Sequence, residues 1–312
     1  MPGPESRVAY SGEPGAFAED AVLAAFDRPQ AVGVSGFRAV FEAVEAGRLV
    51  ADAAEARPIV AGLLPIENLV IGTVRETYDL LLEHDLEIVG EVVVPVRLCL
   101  AALPGTRLEG IERIYSHIQA LGQAERFLRT RPWTLLTTYN TAGAGRLIAD
   151  RAERGAAAVL SPRAARIFEL EVLVEEIGDE PDNRTRFLVV ARRGTIPAGL
   201  RSGPRPGSGA RPMRTTLVFG VHNEPGALHR CLAVFAAARL NLSKLESRPI
   251  RGSAWEYVFW VELEADLDHP RTQEAVEALA RSAATVRVLG GYPRALEPRP
   301  GRRPGAAALR AG

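Results

Sequence analysis

Residues 199–212, GLRSGPRPGSGARP, decide how the chain is organised. The stretch holds almost no apolar side chain and is punctuated by Gly and Pro, the composition of a linker rather than of a packed element. It separates two segments that each carry enough apolar sequence to fold. The expected division is a first unit over 7–193, a flexible linker over 194–212, a second unit over 213–294 and a disordered Pro/Arg/Gly/Ala tail over 295–312.

Before the linker, short β-branched runs alternate with Ala-rich runs. Strands are predicted over 7–10, 58–65, 86–96, 111–115, 133–138, 156–160 and 187–191, with helices over 17–26, 74–82, 117–128, 141–151 and 162–168. A further helix presents Phe37, Val40, Phe41 and Val44 at i, i+3, i+4 and i+7. Alternation of this kind predicts a wound α/β sheet, with ligands at the carboxyl ends of its strands. After the linker the order changes to strand 215–222, helix 226–238, strands 241–249 and 255–264, helix 271–281 and strand 284–289. That βαββαβ order is a ferredoxin-like α+β domain.

Composition narrows the chemistry. The 312 residues carry 38 basic and 38 acidic side chains, so neither nucleic acid nor an anionic membrane is expected as a partner. Lys244 is the only lysine, which leaves no P-loop lysine and little room for Schiff-base chemistry. The two cysteines, Cys99 and Cys231, and five scattered histidines offer no zinc or iron–sulfur spacing, so no metal site is expected. Neither a dinucleotide fingerprint nor a hydrolase triad spacing stands out. The longest apolar run, 92–103, is broken by Pro95 and Arg97, and the first residues lack the pattern of a signal peptide. A soluble, cytoplasmic protein is the expectation.

Four junctions carry polar residues that could meet a ligand. Pro65-Ile66-Glu67-Asn68 ends a strand in an amide that either orients an oxygen-rich substrate or closes an Asx turn. Ser116-His117-Ile118-Gln119 has the S-x-x-Q pattern of a capping box, with Ser116 as N-cap, and Gln123 follows on the same side of the helix. The helix cap and a ligand contact both explain it. Ser161-Pro162 is explained by helix initiation alone. In Asn183-Arg184-Thr185-Arg186-Phe187, a Thr hydroxyl could assist a departing hydroxide and Arg186 could clamp a carboxylate, or the segment could be a strand entry with a surface ion pair.

Taken together, these motifs resemble the prephenate dehydratases that carry a C-terminal ACT domain, over nearly the whole chain. The family's G-x-x-G-[ST]-[FY] loop resembles Gly12 to Phe17, its P-I-E-N is Pro65 to Asn68, and its S-H-x-Q-A-L with a later Gln is Ser116 to Leu121 with Gln123. Its N-x-T-R-F is Asn183 with Thr185, Arg186 and Phe187. N-x-P-G-A-L is Asn223, Pro225, Gly226, Ala227 and Leu228, and E-S-R-P is Glu246, Ser247, Arg248 and Pro249.

The resemblance implies a cofactor-free reaction in which prephenate loses its ring carboxylate as carbon dioxide and its ring hydroxyl as water, giving phenylpyruvate on the way to L-phenylalanine. It implies two α/β lobes like those of periplasmic binding proteins, with the site between them. Thr185 would assist hydroxide departure, while Asn68, Ser116 and Gln123 orient the hydroxyl and carboxylates. Arg186, His117 and Phe187 would bind substrate. L-Phenylalanine would bind the ACT domain through the Asn223–Leu228 and Glu246–Pro249 elements at an interface in a homodimer or homotetramer. Leu69, Leu98, Ile118 and His229 depart from the family's usual residues, and Leu69 and Leu98 are expected near the cleft. Arogenate dehydratase, a non-aromatising prephenate decarboxylase and a phenylalanine sensor without activity are the alternatives.

Overall fold

The computed structural model describes residues 6–49, 57–201, 212–249 and 257–295. The first lobe holds β1 (Arg7–Ser11), α1 (Phe17–Ala25), β2 (Gln30–Val34), α2 (Phe37–Ala46), β3 (Ile59–Asn68), β4 (Gly72–Thr73), α3 (Arg75–Glu83) and β5 (Leu86–Pro95). The chain then crosses to a second lobe of β6 (Cys99–Ala102), β7 (Arg113–Ser116), α4 (Ile118–Gln123), α5 (Glu125–Leu128), β8 (Thr134–Thr137), α6 (Thr141–Arg151), β9 (Ala156–Leu160), α7 (Pro162–Ile167) and β10 (Glu171–Val174). It crosses back to lay β11 (Arg184–Arg192) into the first sheet. The ACT-like unit follows as β12 (Met213–Gly220), α8 (Ala227–Ala237), β13 (Leu242–Pro249), β14 (Tyr257–Leu263), α9 (Pro270–Ser282) and β15 (Thr285–Pro293).

The first sheet runs β2-β1-β3-β11-β5, with β4 paired to β3; the second runs β10-β6-β9-β7-β8. In the first, β1 lies parallel to β2 and β3, while β11 is antiparallel to β3 and β5. Two lobes joined by two crossings match the architecture expected from the sequence. The third sheet, β13-β14-β12-β15, is antiparallel throughout, the ferredoxin-like order.

Alternation along β11 explains how the three units pack. Phe187 and Val189 face a core with Tyr10, Val22, Phe26 and Leu63, whereas Leu188 and Val190 face α2 and α3. The second core continues into Trp260, Leu289 and Tyr292, so one face of the third sheet is pressed directly onto the first lobe. Gly290 makes this approach possible, since a Cβ there would lie 2.1 Å from the Ile88 carbonyl oxygen. The opposite face of that sheet carries α8 and α9 over Leu217, Phe219, Phe235 and Leu279.

Several expectations need correction. The helix expected over 117–128 breaks at Ala124 into α4 and α5, and β2, β4, β6 and β10 are strands beyond those expected from the sequence. The start of the expected linker is tied down. Leu200 packs on the first lobe's core, Asp27 N donates to Gly199 O at 2.8 Å, and Arg201 N donates to Ala25 O at 2.7 Å. One apolar side chain in a polar tract is enough to pin it. The rest of the linker, 202–211, and the tail from 296 lie outside the described residues. Among the described residues no helix is long and apolar enough to cross a membrane, and no group of three His, Cys, Asp or Glu side chains could hold a metal ion.

Candidate active site

Asn68 ends β3, and Thr185 is its register partner on β11. Asn68 is buried, and its orientation is fixed from both ends. Its Oδ1 accepts from the backbone N–H groups of Val70 at 2.9 Å and Ile71 at 3.0 Å. Its Nδ2 therefore faces Thr185 Oγ1 at 2.9 Å, Asn183 Oδ1 at 2.8 Å and the Arg184 carbonyl at 3.1 Å. Both readings of Asn68 hold at once: it closes an Asx turn and it addresses the candidate hydroxyl. Because Thr185 Oγ1 accepts from Asn68, its own proton remains to be given to another group. Asn183, also buried, aligns the amide and was not singled out as a site residue; its place in the same polar cluster was the available signal.

The second lobe contributes Ser116 at the end of β7, His117 and Gln123 on α4. Here the capping-box reading fails. The cap is His117, whose Nδ1 accepts from Gln119 N at 3.3 Å, while Ser116 is completely buried and donates to the Val159 carbonyl at 2.6 Å. Its hydroxyl proton is spent tying β7 to β9, so Ser116 supports the junction. Burial pushes the His117 imidazole below its ordinary value, which keeps it neutral and able to accept. Gln123 is partly exposed, and its backbone carbonyl accepts from Asp179 N at 2.7 Å, on the segment that leads back to Thr185.

Arg186, expected at the substrate, is engaged by carboxylates away from Thr185. Its guanidinium points to the face opposite Thr185 and forks onto Glu262 of β14 at 2.8 and 3.0 Å, with Glu67 at 2.9 Å and Glu91 at 3.1 Å. Four hydrogen bonds to three carboxylates leave little for a ligand. Phe187 is likewise core, buried against Tyr10 and Val22. Leu98 is buried inside the second lobe and does not line a cleft, whereas Leu69 and Ile118 are exposed.

The loop before α1 joins the lobes. Ser161 Oγ caps α7 through Ala164 N at 3.0 Å, as expected, and also donates to Gly15 O of the other lobe at 2.8 Å. Arg163 reaches Glu19 at 2.6 Å and Asp20 at 3.0 Å, and Arg146 reaches Glu13 at 2.8 Å. Gly15, at φ 88°, meets the backbone of Ala164 so closely that a Cβ would sit 2.6 Å from its Cα. None of these contacts was legible from local sequence.

On the third sheet a cavity of about 630 Å3 is lined by His222, Asn223, Gly226, Leu228, Tyr257 and Phe259, among others. It lies at the expected N-x-P-G-A-L element. The expected E-S-R-P element is elsewhere: Glu246 accepts from Thr73 Oγ1 at 2.9 Å, and Arg248 donates to Asp79 at 2.8 Å. Both side chains face the first lobe rather than the cavity.

The sequence model of prephenate dehydratase matches residues 8–195, and that of the ACT domain matches 215–281. The chain belongs to the prephenate dehydratase family. It is 39% identical over 305 residues to arogenate dehydratase 2 of Petunia hybrida, covering 93% of this chain and 72% of that protein. Among solved structures it is similar to prephenate dehydratase of Arthrobacter aurescens in complex with L-Phe, at 29% identity and a TM-score of 0.77, covering 93% of this chain and 90% of that one. It is also similar to GqqA, described as a novel type of quorum quenching acylase, at 30% identity and a TM-score of 0.78, covering 92% and 98%.

For a dehydratase the geometry at Thr185 is apt. The chemistry needs a proton or hydrogen bond delivered to a departing hydroxyl, and a hydroxyl held by an amide donor is set up to deliver one.

Proposed function

We propose that this chain converts prephenate to phenylpyruvate, carbon dioxide and water, with Thr185 Oγ–H directed at the leaving hydroxyl and Asn68 holding it there. The bond from Asn68 Nδ2 to Thr185 Oγ1 carries this reading, because it leaves the hydroxyl proton available to the leaving group. His117 and Gln123, from the other lobe, orient the substrate's remaining oxygens. Aromatisation of the ring drives the reaction, so the resident groups need only bind, orient and protonate.

L-Phenylalanine is proposed to occupy the cavity beside Gly226 and to inhibit turnover. The Arthrobacter structure in complex with L-Phe supports an amino-acid effector. The exposed Leu245 on edge strand β13, and the exposed Tyr257 beside the cavity, support a second copy of the chain as the cover of this face in a homodimer or larger assembly. A cytoplasmic location is proposed on the two buried free thiols, Cys99 and Cys231.

Arogenate is the second reading, favoured by the name of the Petunia relative at 39% identity. Incubating the purified chain separately with prephenate and arogenate tests both. Phenylpyruvate from the first supports the proposal, phenylalanine from the second alone supports the alternative, and a dihydro product indicates decarboxylation without dehydration.

A further inference from the structure

Asn68 and Thr185 pair across the β3–β11 ladder, and so do their neighbours Glu67 and Arg186. Successive strand residues point to opposite faces, so the ladder carries the candidate catalytic pair on one side and an ion pair on the other. The ion pair is embedded in the third sheet. Arg186 forks onto Glu262, and Lys244 of β13 sits 3.3 Å from Glu67 and 5.2 Å from the centre of the Tyr78 ring. Arg214 of β12 closes the cluster through Glu91 at 2.6 Å.

This end of the ladder is the part most in need of such support. Its register shifts between Arg186 and Phe187, where Phe187 pairs with Pro65 and Ile66 is left out as a bulge. A bulge interrupts the hydrogen bonding that would otherwise fix the last residues, and it re-aims the side chains beyond it. Two ties hold the bulge from the edge: the Thr77 hydroxyl of α3 donates to Pro65 O at 2.7 Å, and the backbone N–H of Val74, between β4 and α3, donates to Ile66 O at 3.0 Å. From behind, Glu67 and Arg186 are held by carboxylate and ammonium groups that belong to the ACT domain.

We propose that Lys244 and Glu262 of the ACT domain are positioning residues for the reaction, fixing Asn68 and Thr185 through the Glu67–Arg186 pair on the reverse face of the same two strands. On this account the ACT domain completes the catalytic geometry in addition to any effector binding, and a displacement of β13 or β14 is transmitted to the Thr185 hydroxyl across one strand thickness. The inference rests on the proposed dehydratase reading for its kinetic arm only.

The test uses the full-length chain with Lys244→Met, which keeps the stem over Tyr78 and removes the charge, and Lys244→Arg, which restores it. In Lys244→Met, kcat is expected to fall about tenfold with KM within about twofold, and Lys244→Arg to recover most of the loss. In a Glu67→Gln background the Lys244→Met effect is expected to shrink to a small remainder, because the charge pair is already gone. Amide hydrogen exchange supplies a readout free of substrate: the Leu69, Val70 and Ile71 amides, bonded to Arg184 O and Asn68 Oδ1, are expected to exchange faster in Lys244→Met and normally in Lys244→Arg. Unchanged exchange at these amides, or a full kcat effect persisting without Glu67, would overturn the proposal. A parent enzyme inactive on both prephenate and arogenate would instead overturn the functional reading, and the exchange result would still decide this one.

Discussion

The side chain of Asn68 donates to the hydroxyl of Thr185 at 2.9 Å, across a strand pair whose other face is bonded to a different domain. The direction of that bond matters more than its length. Thr185 Oγ1 is an acceptor toward Asn68, which leaves its own proton free for donation.

Asn68→Asp tests that direction. The carboxylate still accepts from the Val70 and Ile71 amides, so the turn should survive. It faces three acceptors where the amide had donated, and it draws the Thr185 proton inward. Turnover is expected to fall about 100–1,000-fold, the usual cost of losing one well-placed donor. Steady-state kinetics with circular dichroism would check it; a folded, fully active Asn68→Asp would show that the hydroxyl's direction is irrelevant.

Arg186→Met should behave as a break in a buried ion network. Glu262 and Glu91 are left with Arg214 as the cation they share, and stranding buried carboxylates typically costs about 3–5 kcal/mol. Denaturant unfolding is expected to report that loss. Normal stability with a raised KM would return Arg186 to the role of substrate clamp.

Arg163→Gln should loosen the two lobes, because Arg163 of α7 holds both Glu19 and Asp20 of α1. KM is expected to rise about tenfold while kcat changes less, since the reacting groups themselves are intact. A fall in kcat at constant KM would place Arg163 at the chemistry instead.

Acid should destabilise the protein in two steps. Burial holds His117 below its ordinary 6.5. At Glu67 burial pushes the carboxyl up, but Lys244 and Arg186 outweigh it and leave the group below its ordinary 4.5. In both cases the folded value is the lower one, so the unfolded chain binds more protons in the intervening window and stability drops as pH falls through it. The first loss begins below about pH 6.5 and the second below about pH 4.5. In His117→Asn, which keeps a capping oxygen, thermal melts should lack the first loss and retain the second. A first loss that persists in His117→Asn would contradict the His117 assignment, and a second loss that persists in Glu67→Gln would contradict the Glu67 one.

How much of this was legible in the sequence depended on how local the cause was. Helix α6 and strand β9 match their predicted bounds, because an Asn140 cap and an unbroken apolar run are self-contained signals. Strand β11 was read only from Phe187 onward, since Asn183 to Arg186 are polar and their burial comes from Asn68 and the ACT sheet. Strand β6 was hidden inside an apolar run whose Pro95 and Arg97 mark the crossing between lobes. Ser116 looked like a cap because its bond partner, Val159, lies 43 residues away. The sequence around Arg186 carries no sign of what lies behind it, so a carboxylate clamp and an ion pair look alike there. The alternation of Thr185 and Phe187 against Arg186 and Leu188 was the available clue that the arginine faced away from the hydroxyl.

The most direct test of the central claim is phenylpyruvate absorbance in alkali after incubating the purified chain and its Thr185→Val variant with prephenate. Valine preserves the shape of the side chain and removes only the hydroxyl. The account predicts rapid phenylpyruvate formation by the parent, suppressed by L-phenylalanine, and a loss of about 100-fold or more in the variant. Equal rates in parent and variant, or prephenate left intact by both, would contradict it.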